Sequence, residues 1–121
     1  MTEKELKNKT KENAINVAKI YMLLENTIIN KVYIGQIIRS SSSVGANYRA
    51  ACRAKSGKDF IYKLQIVIEE ADETLFFLEL LATFNETYKK QLRDVYIETE
   101  SILKIIVASV RTLKNNQNLK Q

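Results

Sequence analysis

Apolar residues recur every three or four positions along most of the chain, the period of helices that bury one face. Four such segments stand out: Lys11 to Leu24, Lys31 to Ala54, Gly57 to Phe84 and Tyr88 to Asn115. Short polar breaks separate them. The first is Glu25-Asn26-Thr27; at the second, Ser56 can cap a helix whose third residue, Asp59, returns the bond as in a capping box. The third, Asn85-Glu86-Thr87, offers Asn and Thr caps. Connections this short usually join antiparallel neighbours, so the pattern predicts an all-α, antiparallel up-down four-helix bundle. The length of 121 residues fits a single domain, 1–121, ordered over about 11–115, with polar ends, Met1 to Lys9 and Asn115 to Gln121, that fray.

In the third segment Phe60, Ile61, Leu64, Val67, Ile68, Ala71, Leu75, Leu78 and Ala82 fall on one stripe at 100° per residue, the face toward its own core. The opposite side starts polar and then turns apolar through Phe76, Phe77, Leu80, Leu81 and Phe84. A helix apolar all round needs cover, from a neighbouring chain or a terminal tail, and a subunit interface is the preferred reading. In the fourth segment Tyr88, Leu92, Val95, Tyr96, Ile102, Leu103, Ile106, Val107, Val110 and Leu113 mark the buried stripe, while Lys90, Arg93, Lys104 and Arg111 line up on the far side. That row spans roughly 30 Å at 1.5 Å per residue, long enough to follow several phosphates, although a solvated face looks the same in sequence.

Composition narrows the possibilities. Proline and Trp are absent and Gly occurs three times, which disfavours a many-turned β-sandwich, while 45% hydrophobic residues suffice for a real core. Histidine is absent, removing the commonest general base and nitrogen metal ligand, and with them Ser-His-Asp, Cys-His and His-zinc chemistry. Glu69, Glu70, Asp72 and Glu73 resemble carboxylate metal ligands, but a di-iron bundle needs Glu-x-x-His, so no metal or other cofactor is expected. Gly35, Gly45 and Gly57 stand too far apart for a phosphate loop. The chain therefore reads as a non-enzyme. The lone Cys52 and the lack of a signal-like apolar run suit the reducing cytoplasm, and no apolar run reaches the roughly 20 residues of a membrane span.

The net charge of +5 is unevenly placed: +2 over residues 1–38, +5 over 39–63, −6 over 64–86 and +4 over 87–121. The third segment carries Lys58 and Lys63 near its start and acids toward its end, the reverse of what the helix dipole favours. Solvated charge or a basic partner from another subunit would each account for it. At the corner between the second and third segments, Tyr48, Arg49, Arg53, Lys55, Lys58, Tyr62 and Lys63 mix cations with aromatics, a combination suited to phosphates and stacked bases. Residues 40–47, Ser-Ser-Ser-Ser-Val-Gly-Ala-Asn, place small side chains within a helix, with Gly45 costing up to about 1 kcal/mol relative to Ala. Close helix packing at Ser43, Gly45, Ala46 and Asn47 would offset that, with Asn47 bonding across the contact. A nucleophilic Ser43 lacks both a histidine and a G-x-S-x-G elbow.

Arg39-Ser-Ser-Ser-Ser-Val-Gly-Ala-Asn47, Lys58-Asp-Phe-Ile-Tyr-Lys-Leu64 and Glu70-Ala-Asp-Glu-Thr74 followed by Leu78-Glu-Leu-Leu81 occur in order. Together they resemble the bacterial four-helix-bundle proteins encoded by intervening sequences in 23S rRNA genes, over about Ala14 to Leu113. Tyr48 and Arg49 depart from the apolar-Ala pair of that pattern. The resemblance implies a non-enzymatic homopentamer, similar in fold to the accessory protein of diversity-generating retroelements, a basic pentamer that binds nucleic acid and a reverse transcriptase. Two expectations follow. In the first, a homo-oligomer binds RNA or DNA through Arg49, Arg53, Lys58, Arg93, Lys104 and Arg111, with Phe76, Phe77, Leu80, Leu81 and Phe84 between subunits. In the second, the protein is a scaffold for a protein client and touches no nucleic acid.

Overall fold

The computed structural model describes residues 1–120, all in helices, turns and short connections with no strand among them. Four long helices make the fold: α1 Glu3–Lys19, α2 Ile28–Ala51, α3 Gly57–Phe84 and α4 Lys89–Lys120. Single 3-10 turns follow α1 at Ile20–Met22 and precede α4 at Glu86–Tyr88. The largest departure from the sequence expectation is at the start, where α1 begins eight residues early. Thr2 caps it, accepting from the Glu5 N–H at 3.1 Å while the Glu5 carboxylate accepts from the Thr2 N–H at 3.3 Å. This is a capping box, and Leu6 and Thr10 behind it are buried rather than frayed. At the other end α4 continues to Lys120, and Gln121, part of the expected frayed tail, lies outside the described residues.

Each helix buries a line of residues alternating three and four positions apart. The lines run through Leu6, Thr10, Asn13, Val17, Ile20 and Leu24; through Asn30, Ile34, Ile37, Ser41, Val44, Tyr48 and Ala51; and through Leu64, Val67, Ala71, Thr74, Leu78 and Leu81. On α4, Leu92, Thr99, Ile102 and Ile106 keep the same rhythm. A mean spacing of 3.5 is that of knobs-into-holes seams. Helices α2 and α3 share the largest contact, α4 packs on α3, and α1 packs on α2 and also meets α4.

The core divides into two apolar clusters. One gathers Leu6, Val44, Tyr48, Leu64, Val67, Ala71, Ile102 and Ile106; the other gathers Val17, Ile20, Ile34, Ile37, Leu78, Leu81 and Leu92. Between them on every helix stands buried polar chemistry: Thr10 and Asn13, Ser40 and Ser41, Thr74, and Thr99. Most of it is satisfied. The Ser40 and Thr74 hydroxyls bond at 2.7 Å, Asn13 Nδ2 donates to Thr99 Oγ1 at 3.0 Å and to Glu98 Oε1 at 2.8 Å, and the Thr74 and Thr99 hydroxyls donate to carbonyls of their own helices. Asn13 Oδ1 accepts no bond among the described residues.

The connections show which caps operate. Thr27 caps α2 by accepting from the Asn30 N–H, and Ser56 caps α3 by accepting from the Asp59 N–H, both at 3.1 Å. Asp59 does not complete a capping box. Its carboxylate accepts instead from the Lys55 N–H at 3.2 Å and from Lys63 Nζ at 2.8 Å, and these two partners, Lys63 foremost, hold it below the usual carboxylate range. Asn85 ends α3 rather than starting α4: its Nδ2 donates to the Leu81 carbonyl at 2.8 Å, and its side chain exchanges hydrogen bonds with Asn30. The reversed charge order of α3 has an intrachain partner, because Arg39 of α2 pairs with Glu70, at 3.1 Å, and with Glu73.

Candidate nucleic-acid interface

The cations singled out in the sequence all reach solvent but do not form one group. Arg93, Lys104 and Arg111 lie on the exposed side of α4, spaced eleven and seven residues apart, which returns them to nearly the same azimuth. Lys104 has a loose, exposed ion pair with Glu100 at 3.5 Å. Lys58 is exposed in the first turn of α3 and Arg53 in the turn after α2. Arg49 stands in the last turn of α2. It lines a groove between α1 and α2 with Lys7 and Lys11 on the opposite wall. Lys7 falls in the end expected to fray, although the Thr2-x-x-Glu5 box announces the helix that carries it, and Lys11 meets Arg49 only through the packing of α1 on α2.

The aromatic half of the corner does not hold together. Tyr48 is only 6% exposed and belongs to the first apolar cluster, so it is no stacking platform; Tyr62 is exposed. Burial, followed by the adjacent Cys52 thiol, pushes the Tyr48 hydroxyl well above its ordinary range. Burial likewise pushes the Cys52 thiol up, despite its sequence proximity to Arg49 and Arg53, which leaves it a poor nucleophile. Among the described residues no cluster of three Cys, Asp or Glu is placed to hold a metal ion.

The small-residue segment packs, through partners other than those expected. Ser40 and Ser41 are fully buried, and Ser40 reaches Thr74 of α3. Asn47, expected to bond across a helix contact, donates to the Ser43 carbonyl of its own helix at 2.9 Å. Gly45 faces Thr10 of α1, but a methyl group there would meet Thr10 Oγ1 at 3.6 Å, an ordinary contact, so helix approach does not require glycine. Ser42, Gly45 and the exposed Ala46 line the Lys7–Arg49 groove.

The expected subunit-interface residues also separate. Phe76 and Phe84 are 55% and 53% exposed, and a chain of ring contacts links them: Phe76 to Phe77 at 5.4 Å, Phe77 to Tyr33 of α2 at 5.9 Å, and Tyr33 to Phe84 at 6.1 Å. Phe77 and Leu80 are half-buried. Leu81 is a correction: it is 0% exposed, inside the second cluster, and offers nothing to another subunit. Its position continues the 3.5-residue line through Val67 and Thr74, which a strict 100° wheel loses by drifting about 20° per heptad.

The architecture and surfaces define a class: a small four-helix protein with an aromatic surface on α2 and α3 and cations on α1, α2 and α4. Within that class the chain belongs to the 23S rRNA-intervening sequence protein family, whose model matches residues 3–108. It is similar to the crystal structure of a protein of unknown function from the S23 ribosomal protein family of Bacteroides thetaiotaomicron. That similarity has a TM-score of 0.79 and 35% identity, covering 87% of this chain and 97% of the other. No curated protein matches the sequence. No helix among the described residues is long and apolar enough to cross a membrane.

Proposed function

We propose that this protein is a non-catalytic, self-associating bundle of the cytoplasm that holds nucleic acid by its phosphates. The observation that carries the reading is the segregation of exposed charge. Arg93, Lys104 and Arg111 share one line of α4, and Arg49, Arg53 and Lys58 are exposed around the ends of α2 and α3, whereas residues 64–86 hold six acids and no cation. A line of cations follows a phosphate backbone without reading its sequence. The family takes its name from a 23S rRNA intervening sequence, which makes structured RNA the first probe.

Two structural expectations belong to the same proposal. The chain is an up-down antiparallel bundle: residues of the first apolar cluster precede those of the second on α1 and α3 and follow them on α2 and α4, which supports alternating directions. The protein is a homo-oligomer, a pentamer as the family resemblance implies, and the ring chain with exposed ends at Phe76 and Phe84 supports self-association. That ring chain equally favours a second reading, a scaffold that receives a protein client without nucleic acid. Changing Arg93, Lys104 and Arg111 together to Glu discriminates. Loss of RNA and DNA binding in fluorescence anisotropy, with helical circular dichroism and assembly mass retained, is expected; unchanged binding removes the α4 line from the proposal.

A further inference from the structure

Between α1 and α2 runs a groove that residue pattern alone does not announce. It is open and about 290 Å³ in volume. Lys7 and Lys11 stand on one wall and Arg49 on the other, with Ala14, Gly45 and Ala46 among the small residues between them, and no carboxylate lines it. Three features converge on one ligand chemistry. Lys7 and Lys11 are one helical turn apart, about 6 Å along the axis, which is the scale of the step between consecutive phosphates of a strand. Arg49 offers a planar fork that pairs with phosphate oxygens through two bonds. The floor, Thr10, Ala14, Ser42, Gly45 and Ala46, has no long side chain to block approach.

We propose that this groove is a phosphodiester-binding site, seating a short run of nucleic-acid backbone between the α1 lysines and Arg49. The proposal rests on the nucleic-acid reading above and assigns it a second contact surface, apart from the α4 line. Lys7 already pairs with an anion: its ammonium lies 3.0 Å from the Glu3 carboxylate, and both groups are exposed. A phosphate entering the groove competes with Glu3 for Lys7, in an exposed pair of the kind that is weak and easily traded. The sugar edges rest on the Ala14 and Ala46 methyls.

The test uses the full chain and a labelled single-stranded RNA, titrated by fluorescence anisotropy at several salt concentrations. Ala46→Glu places an acid in the groove at an exposed helical position, and Asn26→Glu, in the α1–α2 connection, makes the same charge change elsewhere. A third variant neutralises Lys7 and Lys11 to Gln. Expected are an affinity loss of roughly tenfold for Ala46→Glu and for the double Gln variant, little change for Asn26→Glu, and a salt slope reduced by about 1.4 in the double variant, since each released single-strand phosphate contributes about 0.7. Equal effects of Ala46→Glu and Asn26→Glu on a wild-type protein that does bind would overturn the groove and leave the α4 line standing. Absence of wild-type binding at low salt would overturn both. Displacement of the RNA by polyglutamate as readily as by unlabelled RNA would assign the groove to acidic peptide and also overturn the proposal.

Discussion

The two apolar clusters sit under different exteriors. Over the first, around Val44, Tyr48, Leu64 and Ile106, the capped first turns of α1 bring in Leu6, and the neighbouring α1–α2 surface is cationic through Lys7, Lys11 and Arg49. Beside the second, around Ile37, Leu78, Leu81 and Leu92, Phe76 and Phe84 remain more than half exposed, as do Met22, Ile28 and Val32. Both clusters are closed inside. One bundle thus carries a cationic groove and an exposed aromatic surface without either disturbing the core, because the buried polar layer and the seams already fix how the helices meet.

The largest effect that could break this comparison lies in the second cluster. Leu81→Ala should cost about 2 to 5 kcal/mol of unfolding free energy, the range for a fully buried leucine, measured by urea denaturation. A loss under about 1 kcal/mol would mean that Leu81 is not the core residue described. On the exterior of the same region, Phe76→Asp combined with Phe84→Asp should leave helical circular dichroism intact and lower the mass measured by light scattering. An unchanged mass would move self-association to another surface. At the opposite end, Thr2→Ala removes the cap of α1 and should cost about 1 kcal/mol, with faster amide exchange at Leu6. Gly45→Ala should stabilise the protein by about 0.5 to 1 kcal/mol, because helix propensity improves and the methyl fits against Thr10. Destabilisation would show that the helices approach more closely there.

The smallest effect is a pH dependence at Asp59. Lys63, and after it the Lys55 N–H, lower its folded-state pKa, so its contribution is present above the ordinary carboxylate range and disappears as pH falls through the depressed value. The thermal midpoint of Asp59→Asn should therefore decline less on acidification than that of the wild type. Parallel curves would contradict the sign.

Residue pattern made some elements legible and hid others for physical reasons. The bounds of α3, Gly57 to Phe84, follow from the Ser56 cap and the Asn85 break, and both are local chemistry. The start of α1 is hidden because its seam places Thr10 and Asn13 where apolar periodicity calls for hydrocarbon, and because the Thr2 box lies within the polar end expected to fray. Leu81 was misplaced because Thr74 interrupts the apolar record of its seam and because the seam follows 3.5 residues rather than 3.6. The α4 cations were legible from helical spacing alone. The Lys7, Lys11 and Arg49 groove was not, since it joins two helices and depends on which residues of α1 lie opposite Gly45.

Phosphate contact by a self-associating bundle is the property on which the proposed function stands. Its most direct test is a titration of the wild-type protein against labelled structured RNA and duplex DNA over a series of salt concentrations. Expected is binding whose logarithm falls linearly with the logarithm of salt, with a slope of several units that counts the neutralised phosphates. Absence of binding at low salt, with the protein folded and assembled, would contradict it and leave the aromatic face and a protein client as the reading to pursue.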